Sequence, residues 1–312
     1  MAETPAERWT KARSFHHSLY PAERIAADRR QRVSVCLPAR ECAGTVGEIV
    51  SALVELRKAG AIDEIVVIDA ASADGTAAVA ARAGATVYQE AELMAEHGPV
   101  LGKGDAMWRA LSVLDGELVC FVDADTEAFC SHFVTGLLGP LVCEPDVSFV
   151  KAFYRRPHGD DSEGGGRVNR LAARPALAVF YPELAGVRQP LAGEVAAQRE
   201  LLERLPFVTG YGVEIAMLID AWRELGLDGI AQVDLEEHNN RHQPLSALEP
   251  MAKTVLATVA RRLQQDGRLQ QDGRLQHTGH SQQAARLQDE PRRGGGDGAP
   301  LERPPLNSLA VA

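Results

Sequence analysis

The chain has 312 residues, 45% hydrophobic and 24% charged, the balance of a soluble globular protein with a sizeable core in one or two domains. Acidic side chains outnumber basic ones by 43 to 33, a formal charge of -10, which argues against a nucleic-acid partner and requires a local basic cluster for any anionic substrate. No apolar run reaches the roughly 18 residues that would span a membrane, and the N-terminal stretch lacks the apolar centre of a signal peptide, so the expectation is a cytoplasmic protein with no membrane partner.

Residues 1–32 read as an N-terminal extension, partly helical around Pro21 to Arg30, with aromatic residues that could pack on the rest. Val33 to Leu37 reads as a short buried strand. Thr45 to Lys58 has its apolar residues at helical spacing. Glu64 to Ile68 is a second strand ended by Asp69, Thr76 to about Ala83 a short helix, and Ala85 to Tyr88 a third strand. Gly102 to Leu114 predicts a helix and Leu118 to Val122 a strand buried on both faces, followed by Asp123 and Asp125 and a helix starting near Phe129. This alternation predicts an α/β fold with a mostly parallel sheet and helices on both faces. Beyond it, Val147 to Tyr154 and Ile230 to Leu235 read as strands. Arg170 to Phe180, Glu194 to Leu205, Val213 to Leu225 and Leu245 to Leu263 read as helices. From about Leu263 a polar, Gly-containing six-residue period, Arg-Leu-Gln-Gln-Asp-Gly, gives way to glycines and prolines, which predicts a disordered tail. Cys36 and Cys120 fall inside strand-like runs and none of the five cysteines has C-x-x-C spacing, so they read as thiols in a reducing compartment.

Several clusters carry chemistry. An extended backbone would place Asp123 and Asp125 on one side, roughly 6 to 7 Å apart, as a site for a hard cation held together with substrate phosphates. Helix capping is the alternative. Asp69, at a strand's carboxyl end, suits a nucleotide base or ribose, or caps the next helix. Lys103, between Gly102 and Gly104 at a helix start, suits a phosphate or remains a solvated lysine. Gly164 to Arg167 can form an anion-binding nest with a guanidinium beside it, or a flexible loop. Glu214 in a first helical turn is favoured by the helix dipole, and His238 after a strand could complete a metal shell with Asp125 or stay solvated.

The runs Val33-Ser-Val-Cys-Leu-Pro-Ala39, Gly102-Lys-Gly-Asp-Ala-Met-Trp-Arg109, Phe121-Val-Asp-Ala-Asp125, Val150-Lys-Ala-Phe-Tyr-Arg-Arg-Pro157, Gly164-Gly-Gly-Arg-Val168, Gln189-Pro-Leu-Ala-Gly-Glu194, Gly210-Tyr-Gly-Val-Glu214 and Ile230-Ala-Gln-Val233 occur in this order. Together they resemble the glucosyl-3-phosphoglycerate synthases, retaining glycosyltransferases of the GT-A fold. The resemblance covers about Phe15 to Leu263. It implies a nucleotide-sugar donor, normally UDP-glucose, a 3-phosphoglycerate acceptor, Mg²⁺ or Mn²⁺, and a homodimer. It implies that Pro38, Ala39, Glu41, Asp69, Lys103, Asp123, Leu191, Gly193 and Tyr211 bind the donor, and that Gly166, Arg167, Val168 and Asn240 bind the acceptor. Asp125 and His238 are implied as metal ligands, and Glu214 and Asp125 as the catalytic pair. The implied division is 33–145 for the nucleotide-sugar half, 146–262 for the acceptor and catalytic half, and 263–312 for the tail. Glu41, Cys42, Ala70, Ala124 and Asn169 depart from the usual residues of the resembled family, which keeps GDP-mannose, the donor of the related mannosyl-3-phosphoglycerate synthases, as the alternative. Nucleotidyl transfer is a rival enzyme class, but the stretch after the first strand, Ala39 to Gly44, lacks its Gly-rich basic loop. A non-catalytic sugar-nucleotide-binding module is the rival outside enzymes.

Overall fold

The structure, a computed structural model, describes residues 3–157, 164–239, 243–269 and 301–309. Its elements in chain order are α1 (Pro5–Arg13), β1 (Ser14–His16), α2 (Ala22–Asp28), β2 (Val33–Ala39), α3 (Val46–Lys58), β3 (Glu64–Asp69), α4 (Thr76–Ala83) and β4 (Thr86–Gln89). There follow α5 (Lys103–Ala110), β5 (Leu118–Phe121), α6 (His132–Cys143), β6 (Phe149–Arg155), α7 (Arg174–Phe180), β7 (Val195–Gln198) and α8 (Arg199–Arg204). The last are β8 (Phe207–Val208), α9 (Val213–Leu225), β9 (Ile230–Glu237), α10 (Leu245–Gln265) and β10 (Glu302–Arg303).

Eight strands form one sheet in the order β1-β9-β6-β7-β5-β2-β3-β4. All neighbours are parallel except β7, which runs antiparallel to both β5 and β6. Alternation along the strands feeds two cores, one on each face. Val35, Leu37, Ile65, Val67 and Cys120 pack with α2, α3, α4 and α6; Cys36, Val66, Ile68, Val119 and Phe121 pack with α1, α5 and α7 to α10. The expected α/β architecture is therefore present.

Four expectations need correction. Glu194 to Leu205 is not one helix: Val195–Gln198 is the antiparallel strand, and only Arg199–Arg204 is helical. Its Val-Ala-Ala reads as helix locally, but the slot between β5 and β6 is filled by pairing, a tertiary preference that overrides propensity. Because β7 joins strands from 33–145 to strands from 146–262, those halves share one sheet. The aromatic residues of 1–32 do pack on the rest, the buried Trp9 donating its Nε1–H to Ile230 O at 2.9 Å, but the segment is more than an extension, since β1 joins the sheet beside β9 (Phe15↔Val233).

The tail also divides. The α10 helix runs on to Gln265, and Leu301 to Leu309 return to the domain, with Glu302 paired to Val208 and Arg303 to Phe207. Trp108 Nε1 donates to Pro304 O at 2.8 Å, and the buried Arg262 holds both Glu302 and Asp220. Composition averaged over fifty residues hides so short a strap, whose partners all lie in the domain. Residues 270–300, with most of the repeat, lie outside the described residues. Arg303 meets Asp105, whose side chain is wholly buried, at 2.7 and 2.8 Å, and Arg109 still contacts that carboxylate at 3.1 Å. Arg303→Ala is therefore expected to cost about 2–3 kcal/mol, less than the roughly 3–5 kcal/mol of leaving a buried charge with no partner. Urea unfolding checks this; an unchanged midpoint would show that the strap does not stabilise the domain.

Candidate active site

The parallel strands β2, β3, β5, β6 and β9 present their carboxyl ends at one edge of the sheet. Antiparallel β7 brings its amino end to the same edge, and with it Gly193 and Glu194. Phe121 pairs with Val195, so continuing that register sets Asp123 opposite Gly193. The strand stops at Phe121, one residue short of the expected end, and Asp123 to Asp125 belong to the turn that follows. A Cβ at Gly193 would lie 2.3 Å from both Asp123 carboxylate oxygens, so the glycine lets the Asp123 carboxylate rest directly against this backbone.

Lys103 is positioned by its flanking glycines. Gly102 has φ +97°, and a Cβ on Gly104 would lie 1.9 Å from Val208 O, so α5 can start against Val208 to Gly210 only with these residues. From there Lys103 Nζ reaches Asp123 Oδ1 at 2.6 Å and Glu214 Oε1, in the first turn of α9, at 3.0 Å. Burial would lower the ammonium's pKa, but the two carboxylates outweigh it and raise it well above the ordinary value. Gly193→Ala should push the Asp123 carboxyl off Lys103. Because that carboxyl is the end of a flexible side chain, stability should change little while turnover falls about 100-fold, the usual cost of a displacement near 1 Å. Full activity in the alanine variant would show that the close approach has no role.

Asp125 stands at the open side of the same turn. The residue is exposed, yet the protein packed around its carboxyl displaces part of its solvation, and this and then the charge of Asp123 raise its pKa, with Lys103 and His238 opposing. His238 follows β9 and is buried, its ring stacked on Tyr154 with centroids 4.5 Å apart. Its Nε2 lies 2.9 Å from Glu194 Oε1 and 3.1 Å from Thr126 Oγ1, while Nδ1 is buried with no hydrogen-bond partner. Tyr154 donates its hydroxyl to Glu194 Oε2 at 2.7 Å. Burial alone would raise the Glu194 pKa; His238 and Tyr154 more than offset it and hold this carboxyl well below its usual range. The bridge between Glu127 and Asn239 pins the end of β9 to the turn that carries Asp125.

This arrangement has the form of a metal-binding histidine fixed by a carboxylate, with one ring nitrogen anchored and the other free to donate a lone pair. Among the described residues, Asp123, Asp125 and His238 do not close into a preformed cluster of three ligand atoms. A cation here would be held jointly with substrate oxygens, as hard divalent ions commonly are.

The remaining expected residues form two groups beside this centre. Pro38 and Ala39 end β2, and Ala39 pairs with Asp69 at the end of β3. Asp69 is buried; its Oδ2 accepts from Ser72 N and Gln89 Nε2, both at 3.1 Å, while Oδ1 has no partner. Glu41 accepts from Ala73 N at 2.8 Å and donates its own N–H to Ser72 Oγ at 2.9 Å, so it ties the two loops together. Tyr211 is 59% exposed. In the other group, Gly165 N donates to Arg156 O at 2.8 Å and Gly166 has φ +64°. Arg167 donates to Gln243 O at 2.5 Å, and Val168 is buried at the head of a π-helical turn, Asn169–Ala173. Asn169 receives the Leu191 N–H at 3.3 Å and donates to Arg188 O at 3.3 Å, which links this loop to the one carrying Gly193. Asn240 lies outside the described residues.

Glu194, Thr126 and Tyr154 were not legible as parts of the centre, and Lys151, which the sequence suggests as added charge beside the Gly164 to Arg167 anion site, lies at this centre instead. Lys151 is buried with its ammonium on Ala192 O, and burial, opposed by Glu214, brings its pKa down to about 8. The available signal was Glu194 directly before an apolar stretch, but reading that stretch as a helix made it a first-turn acid.

The family model for Glycosyl transferase family 2 matches residues 34–189. The chain is 43% identical over 266 residues to the glucosyl-3-phosphoglycerate synthase of Petrotoga mobilis, covering 82% of each chain. To the synthase of the same name from Mycolicibacterium smegmatis it is 44% identical, covering 82% of this chain and 86% of that one. Among solved structures, mannosyl-3-phosphoglycerate synthase from Rubrobacter xylanophilus superposes with a TM-score of 0.84 at 47% identity, covering 97% of this chain and 99% of the other. Glucosyl-3-phosphoglycerate synthase from Mycobacterium tuberculosis, solved with Mn²⁺, UDP-glucose and phosphoglyceric acid, gives a TM-score of 0.76 at 37% identity over 93% of this chain and 95% of the other. The chain belongs to glycosyl transferase family 2 and, within it, to the glucosyl-3-phosphoglycerate synthase family.

Proposed function

We propose that this protein is a metal-dependent hexosyltransferase that moves glucose from UDP-glucose to 3-phosphoglycerate with retention at the anomeric carbon. The observation that carries the metal-dependent reading is the buried, unpartnered Nδ1 of His238 next to the Asp125 turn, with Nε2 fixed by Glu194. These residues fit a divalent cation. Asp125 and His238 would hold it, and when bound it would neutralise charge developing on the departing diphosphate. The single nitrogen donor favours Mn²⁺ over Mg²⁺, which prefers oxygen ligands and would rely on Asp125, substrate oxygens and water.

The protein's own groups do the rest. The unpartnered Asp69 Oδ1 can accept a ring N–H of the base, with Pro38, Ala39 and Glu41 lining that side. Lys103 would orient Asp123 and Glu214 towards the sugar hydroxyls, with Leu191, Gly193 and Tyr211 around the ring. Gly166, Arg167 and Val168 would hold the anionic acceptor, the guanidinium gripping it in place of the Gln243 carbonyl. Asn240 belongs to the acceptor side in this reading. The acceptor hydroxyl attacks from the face that the diphosphate leaves, and a leaving phosphate oxygen takes its proton, so Glu214 orients the sugar and need not form a covalent bond.

GDP-mannose is the second reading, favoured by the similarity to the Rubrobacter mannosyl-3-phosphoglycerate synthase. Asp69 does not separate the two donors, since uracil and guanine both offer a ring N–H. Purified protein with Mn²⁺ or Mg²⁺ and 3-phosphoglycerate should turn over UDP-glucose faster than GDP-mannose, with an α-linked product by NMR. Preference for GDP-mannose would establish the second reading, and silence with both would refute the acceptor.

A further inference from the structure

Outside the active site, the parallel register of β1 on β9 places His16 opposite Asp234 and brings His16, His17 and Glu236 together. We propose that these three residues form a second metal site, for a borderline transition ion such as Zn²⁺, distinct from the centre at Asp125 and His238.

The distances are those of ligands around an ion. His17 Nε2 lies 3.3 Å and His16 Nε2 3.6 Å from the same oxygen, Glu236 Oε1. Donors about 2.0–2.1 Å from a tetrahedral ion lie about 3.3–3.4 Å from each other. His17 Nε2 is buried and makes no well-directed hydrogen bond, with Glu236 Oε1 as its close ionic neighbour. The outer contacts hold both rings in place. His16 Nδ1 lies 2.8 Å from Ser18 Oγ and accepts the Ser18 N–H at 3.2 Å, contacts that hold the ring with Nε2 on the cluster side; binding an ion through Nε2 requires the ring proton to sit on Nδ1 and be donated to Ser18 Oγ. His17 stacks on His132 with centroids 4.1 Å apart, and His132 is anchored through Nε2 to Leu235 O at 3.2 Å.

The backbone is adapted to the same end. Glu236 has φ +67°, unusual for a residue other than glycine, and is kept there by Asp234 Oδ1 accepting its N–H at 2.9 Å. A Cβ on Gly136 of α6 would lie 2.9 Å from His17 Cβ, so the glycine makes room for that histidine. Two imidazoles and one carboxylate select a zinc-like ion over Mg²⁺ and leave the fourth position to water. The ion would clamp the N-terminal strand to the end of β9, two residues before His238.

The test uses the full chain carrying Asp125→Ala, which removes a ligand of the proposed catalytic cation. After chelator treatment, Zn²⁺ binding is measured by competition with a chromogenic chelator, and bound Co²⁺ by its tetrahedral absorption. One ion per chain should bind and raise the unfolding midpoint. Adding His16→Ala, or separately Glu236→Gln, should weaken binding by about 100-fold, since loss of even an outer-shell partner costs about 10–100-fold. Both side chains are substantially exposed, so neither change should unfold the protein. No Zn²⁺ bound to the Asp125→Ala chain, or equal affinity in both double variants, would overturn the proposal.

Discussion

Glu194→Ala is expected to lose about 3–5 kcal/mol of stability, the cost of breaking a buried ion pair, and to weaken the catalytic cation by about 10–100-fold. The substitution leaves the His238 ring without its anchor and the Tyr154 hydroxyl without an acceptor in a site closed to water. Glu194→Gln separates the two effects, because the amide keeps the shape and an oxygen but removes the charge. Its signature is in the pH dependence of the metal-free protein. Glu194 has a lowered pKa, so its contribution is complete above the ordinary value of 4.5 and fades as pH falls through the folded value. His238 has a raised pKa, opposed by burial and driven by Glu194, so its contribution is complete below 6.5 and fades as pH rises through the folded value. The pair therefore stabilises most between about pH 4.5 and 6.5. Denaturant unfolding of wild type and Glu194→Gln from well below pH 4.5 to well above pH 6.5 should show a difference that is largest inside that window and narrows on either side of it. Parallel curves would mean that the pair is not ionised as described.

Lys103→Met is expected to lower kcat/KM about 100- to 1,000-fold, the usual range for removing one preorganised charged donor. The ammonium is the shared partner of Asp123 and Glu214, and without it two carboxylates face the donor sugar uncompensated. The loss should appear in kcat as well as in KM for the nucleotide sugar, because Lys103 orients the groups that meet the sugar instead of only adding charge. A variant changed in KM alone would reduce Lys103 to a phosphate contact. Lys103→Arg should not restore activity, since a planar guanidinium does not place its charge where the compact ammonium meets both Asp123 Oδ1 and Glu214 Oε1.

Much of the fold could be read from the sequence because its first half is locally consistent: Val33 to Phe121 alternates apolar strands with amphipathic helices, and each break carries a residue suited to it. Asp69, Lys103, Asp123, Asp125 and His238 were legible for the same reason, as polar residues placed where strands end or helices begin. What stayed hidden depends on long-range pairing. Val195–Gln198 becomes a strand only because two others leave a slot for it, and Glu194 becomes the partner of His238 only through that strand. β1 and the strap around Arg303 are likewise short segments that pair with strands distant in the chain, Phe15 with Val233 and Arg303 with Phe207. Lys103 reads from the sequence as a phosphate contact or a solvated lysine, and its engagement with two carboxylates follows from tertiary approach at Gly102, Gly104 and Gly193.

The central claim is that a cation held at Asp125 and His238 carries hexosyl transfer to 3-phosphoglycerate. It is tested most directly by titrating Mn²⁺ into wild type and Asp125→Ala with UDP-glucose and 3-phosphoglycerate, following UDP release. The account predicts no turnover in chelated wild type, saturable activation by Mn²⁺, and a rate at least about 1,000-fold lower in a folded Asp125→Ala chain, since a bound cation supplies several kcal/mol of transition-state stabilisation. Comparable Mn²⁺-dependent rates in the two proteins would place the metal elsewhere and contradict it.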